Sequence, residues 1–309
     1  RAEGMTGRSL PQLRIYCSDQ THSSIEKAAL ALGLGVRGVT KIASDAKFRM
    51  NADALAEAIS RDRAEGVVPC AIVATVGTTS TASVDPTAQI GALAHREKVW
   101  LHVDAAYGGS AAIVPELRYL WDGIEYVDSI VVNPHKWLFT PVDCSVLYTR
   151  RPDALRETFS LVPEYLRTTE GDEVINYMDY GIQLGRRFRA LKLWMVLEHY
   201  GTEHLRQTIR GHIDLARRLA DEIEGRDDLE LVAPQSLSVV VFRRVVRDAS
   251  GNVDDRASDD ATELLLETIN GSGDVYVSHT KLRGLYAIRV AIGNGATRWR
   301  HVERILAHL

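Results

Sequence analysis

Apolar residues fall into two patterns along this chain. Continuous apolar runs of strand length alternate with stretches in which apolar residues recur every three or four positions. Val67-Val68-Pro69-Cys70-Ala71-Ile72-Val73-Ala74-Thr75-Val76 stops at Gly77-Thr78-Thr79, and Val99-Trp100-Leu101-His102-Val103 stops at Asp104. Runs apolar on both faces belong to strands covered on both sides, as in a parallel sheet flanked by helices. Ser129-Ile130-Val131-Val132 and Cys144-Ser145-Val146-Leu147-Tyr148 are further strand candidates. Between the runs lie helix signals. Ser23-Ser24-Ile25-Glu26 reads as a capping box that opens a helix toward Gly33. Asn51 caps a second helix, with Leu55 and Ile59 on one face, and a third covers residues 87–95. This alternation predicts an α/β domain with a mainly parallel sheet.

The second half changes character. Leu184, Phe188, Leu191 and Met195 have helical spacing, and a second helix carries Leu205, Ile209, Ile213, Ala216, Leu219 and Ile223. Strands over 237–246 and 286–292 mix with helices over 261–269 and 298–309, which predicts a smaller α+β C-terminal domain. The division is expected at residues 1–190 and 191–309, with a long, polar, mobile loop at 162–175 in the first part. Residues 247–255 read as a flexible surface connection. There is no internal repeat.

Composition narrows the partners. The chain has 309 residues, 45% hydrophobic and 25% charged, with a net charge of −4. That is ordinary for a globular protein and gives no attraction to nucleic acid or an anionic membrane. No apolar run reaches the length of a membrane span. Three widely spaced cysteines (Cys17, Cys70 and Cys144) argue against a disulfide framework or a zinc site. Reduced thiols in a cytoplasmic protein are expected. Arg1-Ala2-Glu3-Gly4-Met5 is followed by no apolar signal region and lacks an initiator methionine at position 1, so the chain is expected to continue a longer polypeptide.

The candidate chemistry sits where apolar runs end, which in open α/β sheets is where ligands bind. His102-Val103-Asp104-Ala105-Ala106-Tyr107-Gly108-Gly109 places a carboxylate at a strand end. Asn133-Pro134-His135-Lys136-Trp137 places a lysine at another. Pyridoxal phosphate chemistry needs both: an amine to form a Schiff base with the cofactor aldehyde, and an acid to keep the pyridine nitrogen protonated. Taken alone, Lys136 would be a solvated surface charge and Asp104 a loop cap. The rings of His135 and Trp137 are expected to cage Lys136 and lower its pKa. His22, in Ser18-Asp19-Gln20-Thr21-His22-Ser23-Ser24, could stack on a pyridine ring or serve only as a surface histidine. Thr78 offers a hydroxyl to the cofactor or a turn. Asn133 offers an amide to phosphate or to the turn before Pro134. Tyr165, in the 162–175 loop, could close over a substrate as a proton donor. There is no HExxH or CxxC spacing, no Gly-rich nucleotide loop and no nucleophile elbow.

With these motifs in this order, together with Ala74-Thr75-Val76-Gly77-Thr78-Thr79 and Leu184-Gly185-Arg186-Arg187-Phe188-Arg189, the chain resembles the group II pyridoxal-phosphate-dependent decarboxylases. The likeness is greatest to those acting on aromatic L-amino acids. It implies fold type I, the aspartate aminotransferase-like architecture of the pyridoxal-phosphate-dependent transferases. It also implies a homodimer with shared active sites. Carried over by motif, Lys136 would hold the cofactor covalently, Asp104 would pair with its pyridine nitrogen and His22 would stack on its ring. Thr78, Ala106, Asn133 and His135 would line the cofactor site. Tyr165 would return the proton, and Gly185 would leave room for a large substrate near the neighbouring subunit. The implied reaction is decarboxylation of DOPA, tyrosine, tryptophan or phenylalanine to the amine and carbon dioxide. Tyr165 and His22 favour it over the oxidative route to an aromatic acetaldehyde. Tyr107 and Trp137 favour it over histidine or glutamate decarboxylation. The full motif set argues against a non-catalytic remnant. One departure stands out: the family's N-terminal segment, with the Ser/Ala turn that holds much of the phosphate, has no counterpart here. The chain resembles the C-terminal two-thirds of such an enzyme.

Overall fold

The structure is a computed structural model and describes residues 10–161 and 174–309. Strand β1 (Leu13–Ser18) is followed by helix α1 (Ser24–Ala31), β2 (Val39–Ile42), α2 (Ala52–Ala64), β3 (Val68–Thr75) and α3 (Thr87–Glu97). Next come β4 (Trp100–Asp104), β5 (Ser129–Val132), the one-turn helix α4 (Pro134–Trp137), β6 (Val146–Thr149) and α5 (Pro152–Phe159). The six strands form one sheet in the order β2-β1-β3-β4-β5-β6. Every neighbouring pair is parallel except β5 with β6. The central strands are the apolar runs, and Ile72 and Leu101 are fully buried. Leu55 and Ile59 of α2 and Ile90 and Leu93 of α3 pack into the same core.

The second half begins with α6 (Arg189–Glu224) and continues through β7 (Leu229–Leu231), β8 (Val239–Arg244), α7 (Asp255–Gly271), β9 (Ser278–Leu282), β10 (Leu285–Ala291) and α8 (Trp299–Leu306). Its strands form a separate antiparallel sheet, β7-β8-β10-β9. Leu219 and Ile223 of α6, Leu265 and Ile269 of α7, and Val302 and Ile305 of α8 cover it in a second core. The fold is therefore α/β, with a large, mainly parallel sheet and a smaller antiparallel C-terminal sheet, as expected.

Several local expectations change. α1 begins at the expected place, but Ser23 makes no side-chain cap; instead the Ser24 N–H donates to His22 Nδ1 at 3.2 Å. Asn51 does cap α2, accepting from Asp53 N and Ala54 N. The helix expected from Leu184 starts only at Arg189, and Leu184 and Phe188 lie exposed before it. Gly201, at φ 71° and ψ 156°, breaks α6 into the two helices read from the sequence. The 247–255 connection is a built turn: Asp248 accepts from Ser250 N at 2.8 Å and Asn252 N at 2.9 Å, and Asp254 caps α7.

The small sheet grips the loop that follows β3. Arg289 Nε donates to Thr79 O at 2.8 Å, Ser80 and Thr280 hydroxyls meet at 2.9 Å, and Ser236 Oγ donates to Ala82 O at 2.8 Å. Residues 77–83 are thus held by both halves of the molecule.

Candidate active site

Parallel pairing brings the predicted residues to one sheet edge. Thr75 pairs with Asp104 across β3 and β4, and Asp104 with Val131 across β4 and β5. The segments after Thr75, Asp104 and Val132 therefore leave the sheet side by side. Asn133 N donates to Ala106 O at 3.2 Å, which ties the lysine turn to the strand end carrying the acid. Gly108 N donates to Val76 O at 3.0 Å and ties that end to the Thr78 loop. β1 also runs parallel to β3, so the turn holding His22 leaves the same edge.

Asp104 is only 9% exposed. One oxygen accepts the Ala106 N–H at 3.1 Å, and among the described residues no ion pair reaches the carboxylate. A buried acid without a cation calls for one. Asn133 Oδ1 is buried without a partner at the start of α4, and so is Thr21 Oγ1 beside His22. Backbones crowd between these groups: a Cβ on Gly108 would lie 2.6 Å from Val76 O, and Gly77 sits at φ +88° against Gly108 N. This close approach needs glycine at both places.

Lys136 lies on α4, with its N–H on Asn133 O at 2.9 Å and its side chain exposed. Among the described residues no ring contact to Lys136 bears out the expected cage. Trp137 turns into the core, 0% exposed, and stacks on Tyr107 with centroids 4.7 Å apart and planes 7° apart. Successive residues on a single helical turn point in different directions, so the lysine faces out where the indole faces in. Tyr107 Oη bonds to Ser238 Oγ, and burial pushes its phenol pKa up. These two rings are scaffold, which removes the reason for reading them as a sign of aromatic substrates. His135 Nδ1 faces the backbone of Cys144, 2.7 Å from its O and 3.1 Å from its N. The Thr78 hydroxyl is buried and lies 2.9 Å from that of Thr81.

Gly185 occupies an exposed bend, where a Cβ would meet no atom within 4 Å. Its segment is anchored by Arg189 Nε on Asp143 at 2.9 Å, next to the Cys144 that holds His135. Tyr165 lies outside the described residues. Among the described residues, no hydrogen bond or ion pair joins His22 or Gly185 directly to Lys136. A cleft of about 600 Å³ lined by Arg49, Asp85, Leu120, Arg217 and Leu237 includes none of the predicted site residues. Among the described residues there is no cluster of metal-binding side chains, and no helix is long and apolar enough to cross a membrane. All three cysteines are free.

A buried acid lacking a cation and an exposed lysine on the turn after the neighbouring strand suit a flat cationic ring that carries an amine-reactive group. The sequence profile described as the pyridoxal-dependent decarboxylase conserved domain matches residues 2–245. The chain belongs to this family. It is 42% identical over 307 residues to tyrosine decarboxylase 3 of Petroselinum crispum, covering 98% of this chain and 59% of that protein. It is 40% identical over 300 residues to a phenylacetaldehyde synthase of Arabidopsis thaliana, covering 96% of this chain and 60% of that protein. The crystal structure of Oryza sativa TDC with PLP and tryptamine superposes with a TM-score of 0.90 at 38% identity, over 96% of this chain and 62% of that one. The chain thus spans about three-fifths of the length of the curated relatives it matches.

Two supporting residues, Ser238 and His212, are not foreseen by the sequence pattern. Both brace the lysine turn from the C-terminal half, and a lone serine and a histidine on an amphipathic helix carry no local signal.

Proposed function

We propose that the protein containing this chain is a pyridoxal-phosphate-dependent decarboxylase of aromatic L-amino acids that releases the amine and carbon dioxide. The observation that carries the reading is the placement of Asp104 and Lys136 at neighbouring strand ends, in a chain similar throughout to tyrosine decarboxylases. When bound, the cofactor supplies an electron sink for the pair released as the bond from Cα to the carboxylate breaks. Asp104 would accept the hydrogen bond of the pyridine N–H and keep its proton in place, since its low solvent access strengthens such a pairing. Lys136 offers its exposed amine to the cofactor aldehyde. His22 would cover one face of the ring, and Asn133, Thr78, Ala106 and His135 would line the rest of the cofactor site. Tyr165 supplies the proton that replaces carbon dioxide at Cα. Gly185 leaves room for the substrate ring beside a second subunit. The reading includes a homodimer with shared sites, a large cofactor-binding unit over 1–190 with the 162–175 loop, a small unit over 191–309, and a cytoplasmic location.

Similarity to a phenylacetaldehyde synthase keeps the oxidative reaction as the second reading. Tyr165 and His22 support simple decarboxylation. The test is to offer the full-length protein tyrosine, DOPA, tryptophan and phenylalanine, measuring amine and carbon dioxide beside aldehyde, ammonia and peroxide. Amine is the expected product, with Lys136→Ala reduced to background and lacking the visible absorbance of the lysine-bound cofactor. Aldehyde and peroxide as main products would replace the first reading by the second.

A further inference from the structure

Lys136 shares its single helical turn with Trp137, whose indole is fully buried. Trp137 Nε1 donates to His212 Nδ1 at 3.0 Å. His212, on α6 and 2% exposed, lies 3.0 Å through Nε2 from Asn294 O. An indole N–H only donates and a carbonyl only accepts. Nδ1 must therefore be bare and Nε2 must carry the proton, so both partners are satisfied by a single neutral tautomer. The edge of Phe139 packs against the same imidazole, with centroids 5.8 Å apart. Both ring nitrogens are in use and the ring is sealed from solvent. His212 thus has no free atom with which to act as an acid or base.

We propose that His212 is a positioning residue for the reactive lysine: through its bare Nδ1 it locks the Trp137 indole, and so sets the pitch of the turn that presents Lys136 and Asn133. This role rests on the reading of Lys136 as the cofactor-binding amine. A four-residue helix has almost no hydrogen-bonded ladder of its own. Its orientation must come from what its buried side chain is fixed to. The Tyr107 stack restrains the indole plane but lets it slide, whereas the bond to His212 fixes its edge.

The test follows attachment of pyridoxal phosphate to the full-length protein by visible absorbance, with borohydride trapping and mass mapping to Lys136. Trp137→Phe removes the donor and keeps a ring. His212→Phe removes the acceptor, while His212→Asn puts an amide oxygen where Nδ1 stood. Losing one buried hydrogen bond corresponds to roughly tenfold slower or weaker attachment. We expect that loss in W137F and in H212F, no further loss in the double variant, and H212N within about threefold of wild type. Should H212F fail to fold, W137F and H212N make the same comparison from the two sides of the bond. A W137F that attaches cofactor as wild type does, an H212N as impaired as W137F, or additive losses in the double variant would overturn the positioning role. A wild-type protein in which Lys136 is never trapped would overturn the reading of the lysine itself, and the positioning role with it.

Discussion

At the scale of single residues, the site depends on backbone close approach as much as on charged groups. Gly108 is the sharpest case, because the atom a Cβ would meet, Val76 O, is backbone in a central strand end and cannot swing away. Gly108→Ala should destabilise the protein by about 1–3 kcal/mol, read as a lower urea midpoint at unchanged slope. A glycine pair beside a strand-end acid is visible in the sequence, and so are Asp104 and Lys136. The direction of Lys136 was not, because neighbours in sequence need not be neighbours in direction: Trp137 goes to the core and the lysine to solvent. Asn133 showed as a turn former, but only the fold reveals that its side-chain carbonyl is buried without a partner.

Among elements, Asp85 pins three together. Its carboxylate accepts Met50 N at 2.7 Å, just before α2, and Thr75 N at 2.8 Å, at the end of β3, and it sits two residues before α3. Burial pushes its pKa up from 3.8 to about 7, against the pull of those two N–H groups. The unfolded chain releases this proton near its ordinary value while the folded chain keeps it, so this group's contribution is full at low pH and is lost as pH rises toward 7. Asp85→Asn should therefore flatten the pH dependence of the unfolding free energy between roughly pH 4 and 7, by up to about 1.4 kcal/mol per pH unit. Urea titrations at a series of pH values check the slope. The central strands were legible as elements because they are apolar on both faces. β1 and β2 were not, since Arg14, Lys41 and the short length of β2 interrupt the pattern, and their place comes from pairing with β3 and each other. The mixed hydropathy around Phe188 reads as helix, yet nothing in the described chain covers it, and the helix begins only where Arg189 binds Asp143.

For the whole molecule, that uncovered surface is the dominant feature. Ile182, Leu184, Phe188, Trp194 and Met195 are each more than half exposed, and they follow one another along the segment before α6 and its first turns. A run of large apolar side chains left exposed in this way is a candidate interface. It agrees with the proposed homodimer. Trp194→Glu in the full-length protein should weaken self-association at least about tenfold, measured by sedimentation across a concentration series. An unchanged dimer would place the interface elsewhere. Fold class and the two-sheet plan were legible because each follows from periodicity. The bracing between the sheets was not, since it depends on single hydroxyls and carbonyls far apart in the sequence, such as Ser80 with Thr280.

The support of the lysine turn also sets an order of events during synthesis. Lys136 and Trp137 leave the ribosome well before His212, Ser238 and Asn294, the residues that anchor the indole and its stacked tyrosine. The six described strands of the large sheet are all made by Thr149 and can pair as they emerge. A nascent chain that has reached Thr149 therefore carries these strands and the turn bearing Lys136 before the residues that anchor the indole have been made.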